Sequence, residues 1–155
     1  LYSRVYINLQ RSNMNKINKL KIDVKDFEAL KFEADKAWPI EACALVVGKV
    51  HDDVAVVHKV VIVKNADNSQ VSFSIRPEDL LQVYLNAEKD GLNVIGVFHS
   101  HPAPPQPSIR DLEFMKVNPI VWLIMAKPSG NYGAFQWVEG SIKRVTVDLL
   151  KKDKS

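Results

Sequence analysis

The segment VIGVFHSHPAPPQPSIRDLEF, residues 94–114, restricts the fold more than any other part of this 155-residue chain. An apolar, β-branched run predicts a buried strand over Asn93–His99. Four of the six residues between His101 and Ser108 are proline, whose ring fixes φ and stiffens the loop. A helical pattern begins again at Ser108 and continues to Asn118. The chain must therefore leave a buried strand, cross a rigid loop and enter a helix within a few residues.

The rest of the chain alternates between helical and strand patterns. Apolar residues three and four apart predict one helix over Val24–Trp38, with Asp23 as its N-cap, and a second that opens at Pro77 and stops at Gly91. β-Branched runs bounded by turn residues predict further strands over Ala42–Val50, Val54–Val63, Val71–Ile75, Ile120–Ala126, Tyr132–Val138 and Ile142–Leu150. We therefore predict an α/β fold, in which a single-domain mixed sheet is sandwiched by helices.

Composition excludes several classes of protein. The longest apolar run, Ile120–Ala126, is too short to span a bilayer, so we expect no membrane partner. Cys43 is the only cysteine, which excludes an internal disulfide framework and Cys-rich zinc modules. We expect this cysteine in the core, and a reducing, cytoplasmic location for the protein.

Basic residues are concentrated at the two ends of the chain. Residues 1–25 carry six Lys or Arg and one Asp, so residues 26–150 are net negative although the whole chain carries +3. A nucleic-acid-binding domain usually has a basic face on its folded body, so we expect no nucleic-acid partner. We predict one domain over residues 22–150, between a basic N-terminal extension, 1–21, and a basic C-terminal tail, 151–155.

Two interpretations of residues 1–13 stay open. Val5, Ile7 and Leu9 alternate as in an edge strand. The segment can equally be sequence that is not native to the protein. It lacks the apolar stretch of a signal peptide, so we do not expect export.

His99 and His101 lie two residues apart at the end of the predicted strand. Because strand side chains repeat every two residues, both imidazoles leave one face and can converge on one ion. Asp111 is the nearest downstream carboxylate, and three protein ligands with one open position form a typical catalytic zinc site. An H-x-H pair alone is more often two ordinary polar residues, but the stiff loop that returns a serine and a carboxylate favours a metal site.

Ser108, Asp111 and Glu41 also fit purely structural roles. S-x-x-D before an apolar helical run resembles a capping box, in which Ser108 is the N-cap and Asp111 interacts with the helix dipole. Glu41 can likewise be a solvent-exposed residue just after Pro39. These alternatives stay open from the residues alone.

HSHP followed by PSxxD, with an upstream glutamate in IEACALVVG, resembles the JAMM (MPN+) zinc metalloprotease family over about residues 22–150. The resemblance implies a three-layer, cytidine-deaminase-like architecture and one zinc ion per chain, held by His99, His101 and Asp111. It also implies that Glu41 is the general acid/base and that Ser108 stabilises the oxyanion. The loop before Ser108 has six residues, one fewer than the family's usual seven.

These residue types suit amide hydrolysis. Zinc lowers the pKa of a bound water towards 7 and makes hydroxide available at neutral pH. A carboxylate such as Glu41 can take the proton of that water and deliver it to the leaving amine. A hydroxyl such as that of Ser108 can stabilise the tetrahedral oxyanion together with the metal.

The resemblance implies a zinc isopeptidase that cleaves ubiquitin-like modifier proteins after their C-terminal tail. Such a tail would add a strand to a sheet edge, which we expect at Val71–Ile75. Only eight residues separate Asp111 from Ile120, which indicates a compact archaeal or bacterial type without the long insertion of larger members. Two alternatives stay open: a processing peptidase for a sulfur-carrier protein, and a non-catalytic MPN scaffold.

Overall fold

Seven strands and three helices make up residues 15–151, the part of the chain that the computed structural model describes. The strands are β1 Lys19–Asp23, β2 Cys43–His51, β3 Val54–Val63, β4 Asn93–His101, β5 Val121–Ala126, β6 Tyr132–Val138 and β7 Ser141–Leu150. The helices are α1 Val24–Ala37, α2 Pro77–Lys89 and α3 Ile109–Met115. The alternating pattern of Val5, Ile7 and Leu9 lies outside the described residues.

Local signals set the helix ends as predicted. The Asp23 side chain caps α1 by accepting a hydrogen bond from the backbone N–H of Lys25 at 2.7 Å. Pro77 opens α2, where its missing N–H leaves no helical hydrogen bond unmade. Gly91 follows α2 with a φ of +71°, a left-handed conformation that ends helices and that side chains disfavour.

The seven strands close into a barrel in the order β1-β3-β2-β4-β5-β6-β7. β1 closes it by pairing in parallel with both β3 and β7. The prediction of a mixed sheet sandwiched by helices in three layers is therefore wrong. β1 escaped prediction because its sequence, KLKID, shows only two core residues, Leu20 and Ile22, between charged ones. The pattern is that of a strand with one buried face, but it is short and continues a basic segment.

One buried cluster contains residues from all seven strands and therefore lies in the barrel interior. It joins Phe27, Leu30 and Ala34 of α1 to strand residues that include Leu20, Ala44, Ala55, Phe98, Leu123, Ala134 and Val145. A second cluster packs α2 and α3 against the outer face of the wall through residues that include Leu45, Leu80, Tyr84, Val97, Met115 and Trp122. The central strands are thus buried on both faces, which explains their continuous apolar sequences.

Residues 64–76 connect β3 to α2 as a loop, so the strand predicted over Val71–Ile75 is wrong. Backbone groups of this loop bond to one another and to the side chain of Asn65, and not to a neighbouring strand. The Asn65 amide donates to the Ser72 carbonyl at 3.0 Å, and its oxygen accepts from the Ser74 N–H at 3.1 Å. The alternating apolar residues of 71–75 therefore lie in a loop and do not form the sheet edge that we expected there.

Within residues 15–151, no helix has both the length and the apolar character needed to cross a membrane. The cytoplasmic location stays a prediction of the sequence.

The closing strand gives a test of the barrel. Ile22→Ala should lower the free energy of unfolding by about 2–5 kcal/mol, because the side chain is fully buried in the barrel interior. Lys21→Ala in the same strand is the matched control, with an expected loss below about 1 kcal/mol. Urea unfolding of both variants measures the difference, and equal losses would contradict the closure by β1.

Candidate functional site

The carboxyl end of β4 carries His99 and His101 between two neighbouring strands. In the strand register, His99 lies beside Cys43 of β2 and Ile124 of β5. The two imidazole rings leave the outer face of the wall with their centroids 5.3 Å apart. The strand therefore brings both rings to one place.

Helix α3 brings a carboxylate to this pair. His99 Nε2 lies 3.2 Å from Asp111 Oδ2. Two ligand atoms of one tetrahedral zinc ion, each about 2.0–2.2 Å from the metal, are about 3.3 Å apart, so this separation suits a shared ion. One atom from each of His99, His101 and Asp111 lies within 4.8 Å of the others, and no other such group occurs among residues 15–151.

The donor set of this cluster fits a zinc ion. His101 Nε2 is buried and has no hydrogen-bond partner within residues 15–151. A buried polar atom without a partner is costly, and a metal ion would supply one. The same ring bonds to the backbone of Gln106 in the proline-rich loop, which orients it as outer-shell partners orient metal ligands. Two imidazoles and one carboxylate form a set that zinc accepts.

The electrostatics of the cluster favour the deprotonated ligands that a metal requires. Burial, together with His99, lowers the pKa of His101. Burial alone would raise the pKa of the Asp111 carboxyl, but the hydrogen bonds from His99 and Ser108 outweigh it and hold that pKa below its usual value. The lowered pKa values therefore favour a neutral His101 imidazole and an ionised Asp111 carboxylate near neutral pH.

Ser108 and Asp111 form a reciprocal capping box at the start of α3. Ser108 Oγ accepts from the Asp111 N–H at 3.0 Å, and Asp111 Oδ2 accepts from the Ser108 N–H at 2.9 Å. The structural interpretation is thus correct, and it is compatible with a chemical role. Oγ acts as the acceptor in the cap, and its hydroxyl proton can donate to the Asp111 carboxylate or, in its place, to another acceptor.

The proline-rich loop delivers Ser108 to the site despite its shortness. It packs on β6 at Gly133, where an added Cβ would lie 3.0 Å from the Pro105 carbonyl oxygen. Ser108 and Asp111 line a cavity of about 200 Å³ together with His101 and Glu41. The loop residues Gln70, Val71, Pro102 and Ala103 complete its wall.

Glu41 precedes β2 and is only 4% exposed, which excludes the solvent-exposed position that Pro39 also allowed. Burial raises the pKa of its carboxyl to about 7; His99 opposes this shift, and Asp111 adds to it. A carboxyl that titrates near neutral pH can both take and return a proton there.

Sequence reasoning missed residues that support this site. Ser100, between the two histidines, faces the other way, and its Oγ accepts a hydrogen bond from the Ala42 N–H at 3.0 Å. Phe73 stacks on the His99 ring with centroids 4.7 Å apart. Asn65, which opens the NADN turn, bonds to the Glu41 carbonyl at 3.0 Å. The only sequence signals were the turn itself and the position of Ser100 in HSH.

Cys43 lies beside the site as a core residue, as predicted. Its Sγ contacts the Val63 carbonyl at 3.6 Å, and burial, followed by the charge of Glu41, raises the pKa of the thiol to about 12. The thiol therefore stays protonated and is not a nucleophile at neutral pH.

Comparison with known proteins identifies a family and named relatives. The family described as prokaryotic homologs of the JAB domain matches residues 24–139. A protein of Pyrococcus furiosus named desampylase is 42% identical over 97 residues, 62% of this chain and 66% of that protein. This match therefore spans just under two thirds of the relative's length. A protein of Haloferax volcanii with the same name is 29% identical over 111 residues, 70% of this chain and 78% of that protein.

Two solved structures share the fold. A solution structure of a protein from Desulfitobacterium hafniense has a TM-score of 0.75 and 27% identity, and the match covers 87% of this chain and 95% of that one. A solution structure of a protein from Salinibacter ruber has a TM-score of 0.61 over 86% of this chain and 92% of that one. At 24% identity, the second likeness concerns the fold alone.

The buried Glu41 carboxyl should make the stability of the metal-free protein fall as the pH rises. Its pKa is about 7 in the folded chain against the ordinary 4.5, so the stabilisation from its proton is lost between these values. Glu41→Gln removes this loss. The metal-free variant should therefore exceed the wild type at pH 8 by up to about 3 kcal/mol, and differ little at pH 4.5.

Urea unfolding in the presence of a chelator at both pH values measures this difference. Glu28→Gln on the exposed face of α1 is the control and should follow the wild type. Parallel pH profiles of Glu41→Gln and the wild type would contradict the assigned burial effect.

Proposed function

The chain belongs to the family of prokaryotic JAB-domain homologues, and from this membership we propose that it is a zinc-dependent isopeptidase. Its substrates are ubiquitin-like modifier proteins, cleaved after their C-terminal tail. The observation that carries the proposal is the buried cluster of His99, His101 and Asp111, two members of which, His101 and Asp111, line the same cavity as the buried Glu41. Two relatives named desampylase support the removal of a ubiquitin-like modifier.

His99, His101 and Asp111 would hold the zinc ion. When bound there, zinc lowers the pKa of a water molecule and polarises the carbonyl of the scissile amide. Two of these ligands have lowered pKa values and are oriented by the chain, His101 by Gln106 and Asp111 by the capping box. Little reorganisation is then needed on metal binding.

Glu41 is the proposed general acid/base. Its carboxyl lines the cavity and has a pKa of about 7 in the metal-free chain. It accepts the proton of the attacking water at one carboxylate oxygen and returns it to the amine that leaves. The same group therefore serves both proton transfers of amide hydrolysis.

Ser108 is the proposed donor to the oxyanion. The capping box fixes its Oγ through the bond from the Asp111 N–H at 3.0 Å, and the hydroxyl proton, which can also donate to the Asp111 carboxylate, can point into the cavity. A donor held in place before the reaction costs no reorganisation when the charge develops.

The cavity suits a narrow, extended substrate tail. Its wall combines loop 64–76, through Gln70 and Val71, with the proline-rich loop, through Pro102 and Ala103. A volume of about 200 Å³ leaves room for residues with small side chains beside Glu41 and Asp111. We propose that the tail of the modifier lies between these two loops. A sulfur-carrier protein remains the alternative substrate for the same chemistry.

Zinc content is the first test. We expect one zinc ion per purified chain by elemental analysis, and a melting temperature that falls when a chelator removes it. His99→Ala should lose the metal, whereas His58→Ala, on an exposed position of β3, should retain it. A wild-type chain that takes up no zinc on titration would reject the metalloenzyme and leave the non-catalytic scaffold.

Turnover tests the roles of the two catalytic side chains. Glu41→Ala should retain zinc and lower kcat by about 10²–10⁴-fold, and Ser108→Ala should lower it by about 10²–10³-fold. The assay follows release of an archaeal ubiquitin-like modifier from a lysine side chain, beside a sulfur-carrier protein with a C-terminal extension. Normal turnover of Glu41→Ala would reject its assignment, and cleavage of the sulfur-carrier protein alone would favour the alternative substrate.

A further inference from the structure

We infer that Asn65 is a positioning residue. It holds Glu41 together with the loop 64–76, which forms one wall of the cavity and carries the Phe73 ring that stacks on His99. The inference rests on the proposed function. Asn65 does not line the cavity that contains His101 and Asp111; it lies behind Glu41, in the lining of a separate cavity. It therefore acts through other residues and not on the substrate.

All four hydrogen-bonding positions of the Asn65 side chain are used. The amide nitrogen donates to the carbonyls of Glu41 and Ser72, each at 3.0 Å. The amide oxygen accepts from the backbone N–H groups of Asp67 at 3.0 Å and Ser74 at 3.1 Å. An asparagine can make no more than this. A side chain that is 8% exposed and fully satisfied holds its partners in one geometry.

The bonds of Asn65 complete the fixation of the Glu41 backbone. The Glu41 N–H donates to the Ser69 carbonyl of the loop at 2.8 Å, and its carbonyl accepts from Asn65. The next residue, Ala42, exchanges bonds with Ser100 of β4, through both the hydroxyl and the N–H of Ser100. Glu41 thus lies between the loop and the strand that bears the two histidines.

The same loop forms part of the cavity. Gln70 and Val71 line it, and Phe73 stacks on His99 at 4.7 Å. The loop has no strand partner. Besides Asn65, it is held by the bond from the Ala66 N–H to the Ser74 carbonyl at 2.8 Å and by Asp67, whose carboxylate accepts from the hydroxyls of Ser72 and Ser74. Loss of the Asn65 donors would therefore loosen the acid/base residue and the wall together.

Asn65→Asp is the sharpest variant. It keeps the size of the side chain and the two acceptor bonds, but turns both donors into acceptors that face the carbonyls of Glu41 and Ser72. We expect kcat to fall about 10- to 100-fold with one zinc ion per chain retained, and KM to change less. Asn65→Ala removes all four bonds of the side chain without adding charge and should lower kcat at least as much.

Gln136→Glu is the matched control. Gln136 is also a buried amide, which donates to the carbonyls of Asn15 and Pro119 and accepts from the Ile17 N–H, away from the site. This variant loses two equivalent bonds and should be destabilised similarly, with kcat unchanged. Equal losses of kcat in the Asn65 and Gln136 variants would mean a general loss of stability and overturn the inference.

Native-state hydrogen exchange of the wild type tests the same unit without a variant. The amides of Glu41, Asp67 and Ser74 should open together, with one common protection factor. Asn65 accepts from the N–H groups of Asp67 and Ser74 and donates to the Glu41 carbonyl, so all three residues depend on one side chain. Independent opening of Glu41 would overturn the inference. If the wild type cleaves no modifier but these amides open together, the proposed function fails and the positioning by Asn65 stands. If the wild type cleaves the modifier and Asn65→Asp retains kcat, the proposed function stands and the positioning by Asn65 fails.

Discussion

The pairing of β4 with β2 on one side and β5 on the other is the constraint on which the site depends. Antiparallel pairing to β2 sets Cys43 against His99 and so places Glu41, two residues earlier, beside the end of β4. Parallel pairing to β5 sets Ala126 against His101 and anchors the strand where the proline-rich loop begins. Because the outer face of these strands packs on α2 and α3, the histidines leave the wall in a dry environment. A shift of one residue in this register would turn both imidazoles into the barrel interior.

Burial tunes the groups of the site in opposite directions. Removal from water disfavours every charge, so it raises the pKa of Glu41 and lowers that of His101. At Asp111 the hydrogen bonds from His99 and Ser108 overcome the same effect. Burial therefore yields a Glu41 carboxyl that titrates near neutrality beside a His101 whose pKa is lowered, and hydrogen bonds keep Asp111 ionised. Structural and chemical roles coincide here, since the cap of α3 also orients the carboxylate.

Two loops hold the cavity by different means. The loop after His101 is stiff because proline restricts its backbone before folding. Loop 64–76 contains no proline and is instead held by hydrogen bonds, four of which are made by the side chain of the buried Asn65. Prolines are visible in a sequence, whereas an asparagine in a turn has the same appearance whether it is solvated or buried. The role of Asn65 in holding its loop is therefore visible only from the contacts in the structure.

The sequence alone predicted what depends on residues close together in the chain. These features include α1 with its N-cap, the start of α2 at Pro77, the β2–β3 hairpin, the placement of His99 and His101 on one strand face, and the resemblance to the family that the comparisons confirm. The tertiary structure decided the closure of the barrel, because β1 pairs with residues 146–150, more than 120 positions away. It also decided the burial of Glu41 and the linkage through Asn65. Periodicity and capping act over one or two turns of chain, whereas closure and burial depend on which distant segments displace water from each other.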